Sequence, residues 1–157
     1  MWDVQTGELD CLLSGHTSVV MCVAYSPSGQ QIASSSKDMT VRLWDTQTGD
    51  LTSTLGGHTD GVNSVVYSPT GQFISSCSFD KTVRLWDTQT DEPGTSLGGN
   101  HGSTVLSVVY SPSGHQITSC SKDKTIRLWD AQTGELISTL SGHTGEVQSV
   151  VYSPSGH

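Results

Sequence analysis

Three residue types recur in step along this chain and together could do nucleophilic chemistry. His16, Ser34 and Asp38 form one set, His58, Ser76 and Asp80 a second, and His101, Ser119 and Asp123 a third. A serine hydroxyl is a weak nucleophile until a base takes its proton, and a carboxylate can orient that base. Each set also owns a tryptophan six residues beyond its aspartate: Trp44, Trp86 and Trp129. Three copies of one active site in a chain of 157 residues would be odd. The alternative is scaffold, since Ser and Trp need hydrogen-bond partners when buried.

The elements that carry these residues are repeats. The phrase SKDMTVRLWD at 36–45 returns as SFDKTVRLWD at 78–87 and as SKDKTIRLWD at 121–130. Trp-Asp pairs begin at Trp2, Trp44, Trp86 and Trp129, spaced 42, 42 and 43 residues apart. His16, His58, His101 and His143 keep the same step. The one extra residue lies in DTQTDEPGTSLGGN at 87–100, which also holds Pro93. Within a period, GVNSVVYS, QFISSCS and TVRLWD read as strands with tight turns between them, followed by a weaker fourth run, DLTSTL or ELISTL in the neighbouring repeats. Thr40, Thr82 and Thr125 read as strand formers, and Arg42, Arg84 and Arg127 as solvated strand charges.

A four-stranded meander of this size is half apolar on both faces and cannot bury them alone. Copies stacked face to face around a ring would remove that surface from water. The fourth strand would be the outer edge, where the missing N–H of Pro93 does least harm.

Composition narrows the function. Hydrophobic residues make up 33% of the chain, with 7 basic and 15 acidic residues and a net charge of −8. No basic stripe stands ready to neutralise a phosphate backbone, so nucleic acid and anionic membrane are poor partners. No apolar run reaches the roughly 18 residues that cross a bilayer, and the acidic N-terminus does not read as a targeting segment. The four cysteines, Cys11, Cys22, Cys77 and Cys120, form no C-x-x-C pair. They predict no zinc site and suit a reducing, cytoplasmic compartment. No G-x-x-x-x-G-K-[ST] and no other cofactor motif is present.

The joint pattern of Gly-His (Gly15-His16, Gly57-His58, Gly142-His143), YSPSG or YSPTG, and Asp six residues before Trp-Asp resembles the WD-repeat β-propellers along essentially the whole chain. Asn100 replaces the glycine before His101, and Gly114-His115 falls out of register. The resemblance implies an all-β fold of four-stranded antiparallel propeller blades. Blades are expected at 15–56, 57–99 and 100–141. Residues 1–14 would form the last strands of a preceding blade, and 142–157 the first strand of a further one. This would be an open or partial propeller, since four to eight blades usually close a ring. It also implies a buried network running from Trp N–H to Ser, from Ser to His, and from His to Asp.

Partners of such propellers usually dock on the end bearing the turns between second and third strands. The matching positions are Val19, Met21 and Lys37 in the first repeat, Gly61, Asn63 and Phe79 in the second, and Thr104, Leu106 and Lys122 in the third. Phe79 stands where the other repeats have Lys, and with Met21 and Leu106 it makes a candidate docking patch. The function expected is a non-catalytic scaffold for other proteins or peptides, belonging to a larger signalling or assembly protein, with self-association as a way to complete a ring. The alternatives are the sensor part of a nucleotide-switch receptor, an enzyme using the central channel, and a lectin-like propeller. The channel enzyme lacks converging carboxylates or metal ligands, and the lectin lacks exposed Trp.

Overall fold

A computed structural model describes residues 5–9, 11–90 and 94–156. Twelve strands and no helix occur among them. The first sheet holds β1 (Val20–Tyr25), β2 (Gln31–Ser36), β3 (Thr40–Asp45) and β4 (Leu51–Gly56). The second holds β5 (Val62–Tyr67), β6 (Phe73–Ser78), β7 (Val83–Asp87) and β8 (Thr95–Ser96). The third holds β9 (Val105–Tyr110), β10 (Gln116–Ser121), β11 (Ile126–Asp130) and β12 (Leu136–Leu140). Each sheet is an antiparallel meander with its strands in chain order, and none closes into a barrel. These are propeller blades, as the repeat predicts.

Local chemistry sets the turns. After each first strand, Ser-Pro-x-Gly closes with a glycine amide bonded to the serine carbonyl, as from Gly29 to Ser26 at 2.9 Å. Gly29 there has φ +72°. Between second and third strands the left-handed position is taken by Met39, Lys81 and Lys124, at φ 70°, 72° and 72°. In blades one and three the last turn uses Gly49 and Gly134, whose amides bond to Asp45 and Asp130. The second repeat has Asp91 at that position, and its fourth strand is only two residues long. Pro93, expected on that edge, and the Trp2-Asp3 pair lie outside the described residues.

A bulge in each first strand is invisible in the sequence. Val20 pairs with Ser36 but Cys22 with Ser35, leaving Met21 as the extra residue. Asn63 and Leu106 are the extra residues at the equivalent bulges of β5 and β9. A bulge re-aims one side chain and ends regular pairing.

The core lies between sheets. β1 packs beside β5, and β5 beside β9. Val41, Leu43 and Leu55 of the first blade meet Val62, Val65, Ile74 and Trp86 of the second. Val83 and Leu97 meet Val105, Val108, Ile117 and Trp129 at the next seam. Each such side chain taken from water contributes about 1.5–3 kcal/mol. On the face of β1 turned away from β5, no blade packs among the described residues, and Val23 is 64% exposed where Val65 is 2% exposed.

The end segments differ from the strands expected of them. Leu9 makes only an isolated bridge, and 141–156 make no ladder. Residues 147–152 nevertheless lie along the third blade, with the Val147 amide on Ser121 O at 3.2 Å and the Tyr152 hydroxyl on Thr118. No second strand pairs with them, so the hydrogen bonds that define a sheet are missing.

The Tyr152 contact belongs to a series. Ser75 donates to the Tyr110 hydroxyl at 2.9 Å across the second seam. At the first seam the equivalent residue is Ala33, and the buried Tyr67 hydroxyl has no partner. Burial pushes the Tyr67 pKa up to about 12. Ala33→Ser should supply the missing hydroxyl and add about 1 kcal/mol of stability, read as a Tm roughly 2–4 °C higher by calorimetry. A lower Tm would mean that the seam has no room for the added oxygen.

Candidate functional site: the buried polar network and the turn-bearing blade ends

The four residue types meet in every blade. In the second, Trp86 sits on β7 opposite Ile74, and Ser76 on β6 opposite Arg84, so all four share one face of the sheet. Asp80 lies in the following turn and His58 in the loop before β5. The Trp86 indole N–H donates to Ser76 Oγ at 2.8 Å, His58 Nε2 lies 2.8 Å from the same oxygen, and His58 Nδ1 lies 2.7 Å from Asp80 Oδ2. In the first blade the three distances are 2.8, 2.7 and 2.7 Å, for Trp44, His16, Ser34 and Asp38. In the third they are 2.9, 2.8 and 2.9 Å, for Trp129, His101, Ser119 and Asp123.

A glycine before the histidine lets the loop lie on the indole. A Cβ at Gly57 would sit 3.0 Å from Arg84 Nη1 and 3.4 Å from Trp86 Cη2. Asn100 stands there in the third blade, and His101 still makes both of its bonds.

With the histidine neutral, one assignment of the donors satisfies every group. An indole N–H only donates, so the serine oxygen accepts from it. The serine O–H then donates to His Nε2, and His Nδ1–H donates to the aspartate. A neutral imidazole satisfies every partner with the aspartate as the only charge. The order of groups is that of a serine nucleophile, its base and an orienting carboxylate. Here, however, the oxygen is capped by the indole and buried, with Ser34 4% exposed and Ser76 and Ser119 0%. No substrate carbon can reach it.

One member was missed by the sequence reading. Thr40, Thr82 and Thr125 are more than strand formers: their hydroxyls donate to Asp Oδ1 at 2.6, 2.7 and 2.6 Å. Their own amides bond the same oxygens. The Asp-x-Thr spacing of an Asx turn was the available clue. The arginines require a correction as well. They are half-buried, not solvated. Arg84 Nη1 donates to Gly94 O at 2.6 Å and Arg127 Nη1 to Gly99 O at 2.9 Å. The Arg127 guanidinium lies 5.9 Å from the Trp129 ring centroid, a cation–π distance.

Electrostatics follow the bonds. Burial opposes ionisation of Asp80, but His58 and Thr82 outweigh it and hold its carboxyl well below the usual range. Asp38 and Asp123 are held low in the same way, against burial, chiefly by Thr40 with His16 and by Thr125 with His101. Burial lowers the pKa of His101, and Asp123 only partly offsets this. Folded-state values below unfolded ones mean that the unfolded chain binds more protons, so stability falls on acidification. Stability from His101 should begin to fade below about pH 6.5, and that from the three aspartates below about pH 4. Thermal melts across a pH series check this; a Tm that rises between pH 7 and pH 3 would contradict the assignment.

At the turn-bearing end, Val19 is 59% exposed and Met21 40% exposed. Lys37 and Lys122 are exposed, while Asn63, Thr104 and Leu106 are half-buried. Lys122 pairs with Glu146 at 3.7 Å. Asn63 is committed to the seam, its side-chain amide donating to Val105 O at 2.7 Å. Gly61 is a correction: it is buried. A Cβ there would lie 3.2 Å from both Phe79 and the Lys37 backbone. Half-buried Phe79 thus covers its own blade as well as facing outward.

The fold and the thrice-repeated network define a run of propeller blades, a repeat domain of the protein-interaction kind. The family described as "WD domain, G-beta repeat" matches residues 7–45, 49–87, 92–130 and 134–157. The chain belongs to that family. It is similar to Periodic tryptophan protein 2 of Saccharomyces cerevisiae, with 44% identity over 43 residues, 27% of this chain and 5% of that protein. It is also similar to the Notchless protein homolog of Arabidopsis thaliana, with 55% identity over 31 residues, 20% of this chain and 7% of the relative. The matched stretches span less than a tenth of either relative.

Proposed function

We propose that this chain is a non-catalytic protein-interaction scaffold within a larger signalling or assembly protein. Its partner, a protein or peptide rather than nucleic acid or membrane, docks on the end bearing the turns between second and third strands. One observation carries the reading. At that end Val19, Gly61 and Thr104 differ at one repeat position, Met21, Asn63 and Leu106 at a second, and Lys37 and Phe79 at a third, whereas the network residues are identical in all three blades and buried. The bulges support it by presenting Met21, Asn63 and Leu106, two apolar residues and one polar, at one structural position.

Met21, Phe79 and Leu106 would be the apolar anchors, flanked by Lys37 and Lys122. The exposed β1 face, with Val20, Val23 and Tyr25, is the proposed route of any self-association. A reducing, cytoplasmic compartment fits the buried thiols, of which burial pushes Cys120 up to about 11. The test is the triple substitution M21S/F79S/L106S. Proteins retained by the wild-type chain on an affinity column should be lost from the variant while its melting curve stays cooperative. Retention of the same proteins at the same level would refute the docking face.

A further inference from the structure

All four lysines of the chain, Lys37, Lys81, Lys122 and Lys124, lie in the turns between second and third strands. These turns share one end of the blades with the entry to the first strand: Lys37 N bonds Val19 O at 2.9 Å, Phe79 N bonds Gly61 O at 3.0 Å and Lys122 N bonds Thr104 O at 3.0 Å. All four are exposed. The opposite end is defined by bonds such as Thr46 N to Gln30 O and Ala131 N to His115 O. It carries Asp45, Asp50, Asp87, Asp130 and Glu135, and none of the seven basic residues. A chain of net charge −8 is therefore polarised, with its exposed positive charge gathered at one end.

Most carboxylates at the lysine end keep their charge but are turned inward or already bonded. The Asp38, Asp80 and Asp123 side chains are 6%, 6% and 13% exposed and face the histidines. Asp60 accepts the Gly61 amide at 2.7 Å, and Glu146 pairs with Lys122. Among the described residues no carboxylate lies within ion-pair distance of Lys37, Lys81 or Lys124. The same end also carries apolar groups: Val19 and Met21, Met39 at 46% exposure, and half-buried Phe79.

We infer that this end binds an acidic protein segment, one that places an apolar side chain among Val19, Met21, Met39 and Phe79 and carboxylates against the four lysines. The inference rests on reading this end as the docking face and adds the chemistry of the partner. The apolar contact supplies affinity, and the lysines supply register and association rate. Over a screening length of about 8 Å at physiological ionic strength, the acids of the far end are not felt.

The experiment is selection of a displayed random-peptide library on the 157-residue chain, followed by affinity measurement of the enriched peptides at low and high salt. Two variants are compared, K37E/K81E/K122E/K124E and M21S/F79S/L106S, each checked for a wild-type melting curve. Enriched peptides should carry Asp or Glu around a Leu, Ile or Phe. They should weaken with salt and lose about tenfold or more in affinity on the lysine-reversed variant. Neutral or basic peptides that ignore lysine reversal but fail on the serine variant would overturn the acidic assignment and leave the docking face standing. Peptides that bind both variants unchanged would overturn the docking face as well. If mixed-sequence single-stranded DNA binds more tightly than any peptide, with the same lysine dependence, the partner class is wrong. If the chain pairs with itself in a salt- and lysine-dependent way, the occupant is its own acidic end.

Discussion

Trp86→Ala is expected to cost about 3–5 kcal/mol of stability and to lower Tm by roughly 10 °C or more. The ring is 1% exposed and belongs to the cluster that joins the first two blades. Its loss opens a cavity at a seam, where two sheets would have to move together to refill it. The indole also fixes the Ser76 hydroxyl, which then orients His58, so a packing defect becomes a hydrogen-bonding defect. Trp86→Phe separates the two parts. It keeps most of the volume but loses the donor and a small part of the packing, and should cost about 1–2 kcal/mol. Urea melts of the two variants check this. A near-wild-type midpoint for the alanine variant would contradict the burial on which the blade packing depends.

Asp80→Ala is the second large effect, expected at about 3 kcal/mol. One carboxylate serves four donors: the His58 ring, the Thr82 hydroxyl and the amides of Thr82 and Thr59. Removing it strands them at the turn that leads from β6 to β7. Asp80→Asn keeps one amide oxygen as acceptor and should cost less. Because the aspartate, histidine, serine and tryptophan act as a chain, Asp80→Ala and Trp86→Phe should not add in the double variant. The alanine substitution should also flatten the loss of stability below pH 4, since an ionised group held low in pKa is gone. Strict additivity with an unchanged pH profile would mean that the aspartate is not coupled to the tryptophan.

The repeat made much of this legible from residues alone. A period of 42 or 43 residues with Val-rich runs and Ser-Pro-x-Gly turns suits short antiparallel strands, and twelve occur among the described residues. The Ser, His, Asp and Trp positions were readable because they keep step in all three repeats and are residue types that need hydrogen-bond partners when buried. What stayed hidden depends on three-dimensional register. The bulges at Met21, Asn63 and Leu106 need the pairing of β1, β5 and β9 with their partners. The arginines read as solvated because strand alternation says nothing about what covers the Trp-bearing face. Gly61 looked like a surface position because its repeat partners Val19 and Thr104 differ from it, yet Phe79 lies on top of it. Ser35 is an instructive case. It is buried with an unpartnered hydroxyl where the other blades have Cys77 and Cys120, residues that tolerate an apolar site without needing a donor.

The account turns on the three indoles being buried donors that cap the serine oxygens. Hydrogen exchange of the indole N–H protons, followed by NMR on the wild-type chain, tests this directly. The indoles of Trp44, Trp86 and Trp129 should exchange far more slowly than a free indole, and the Trp86 proton should lose that protection in a Ser76→Ala variant that still melts cooperatively. Exchange of all three at the rate of free indole would place them in water, leave the serine oxygens uncapped, and reopen the catalytic reading.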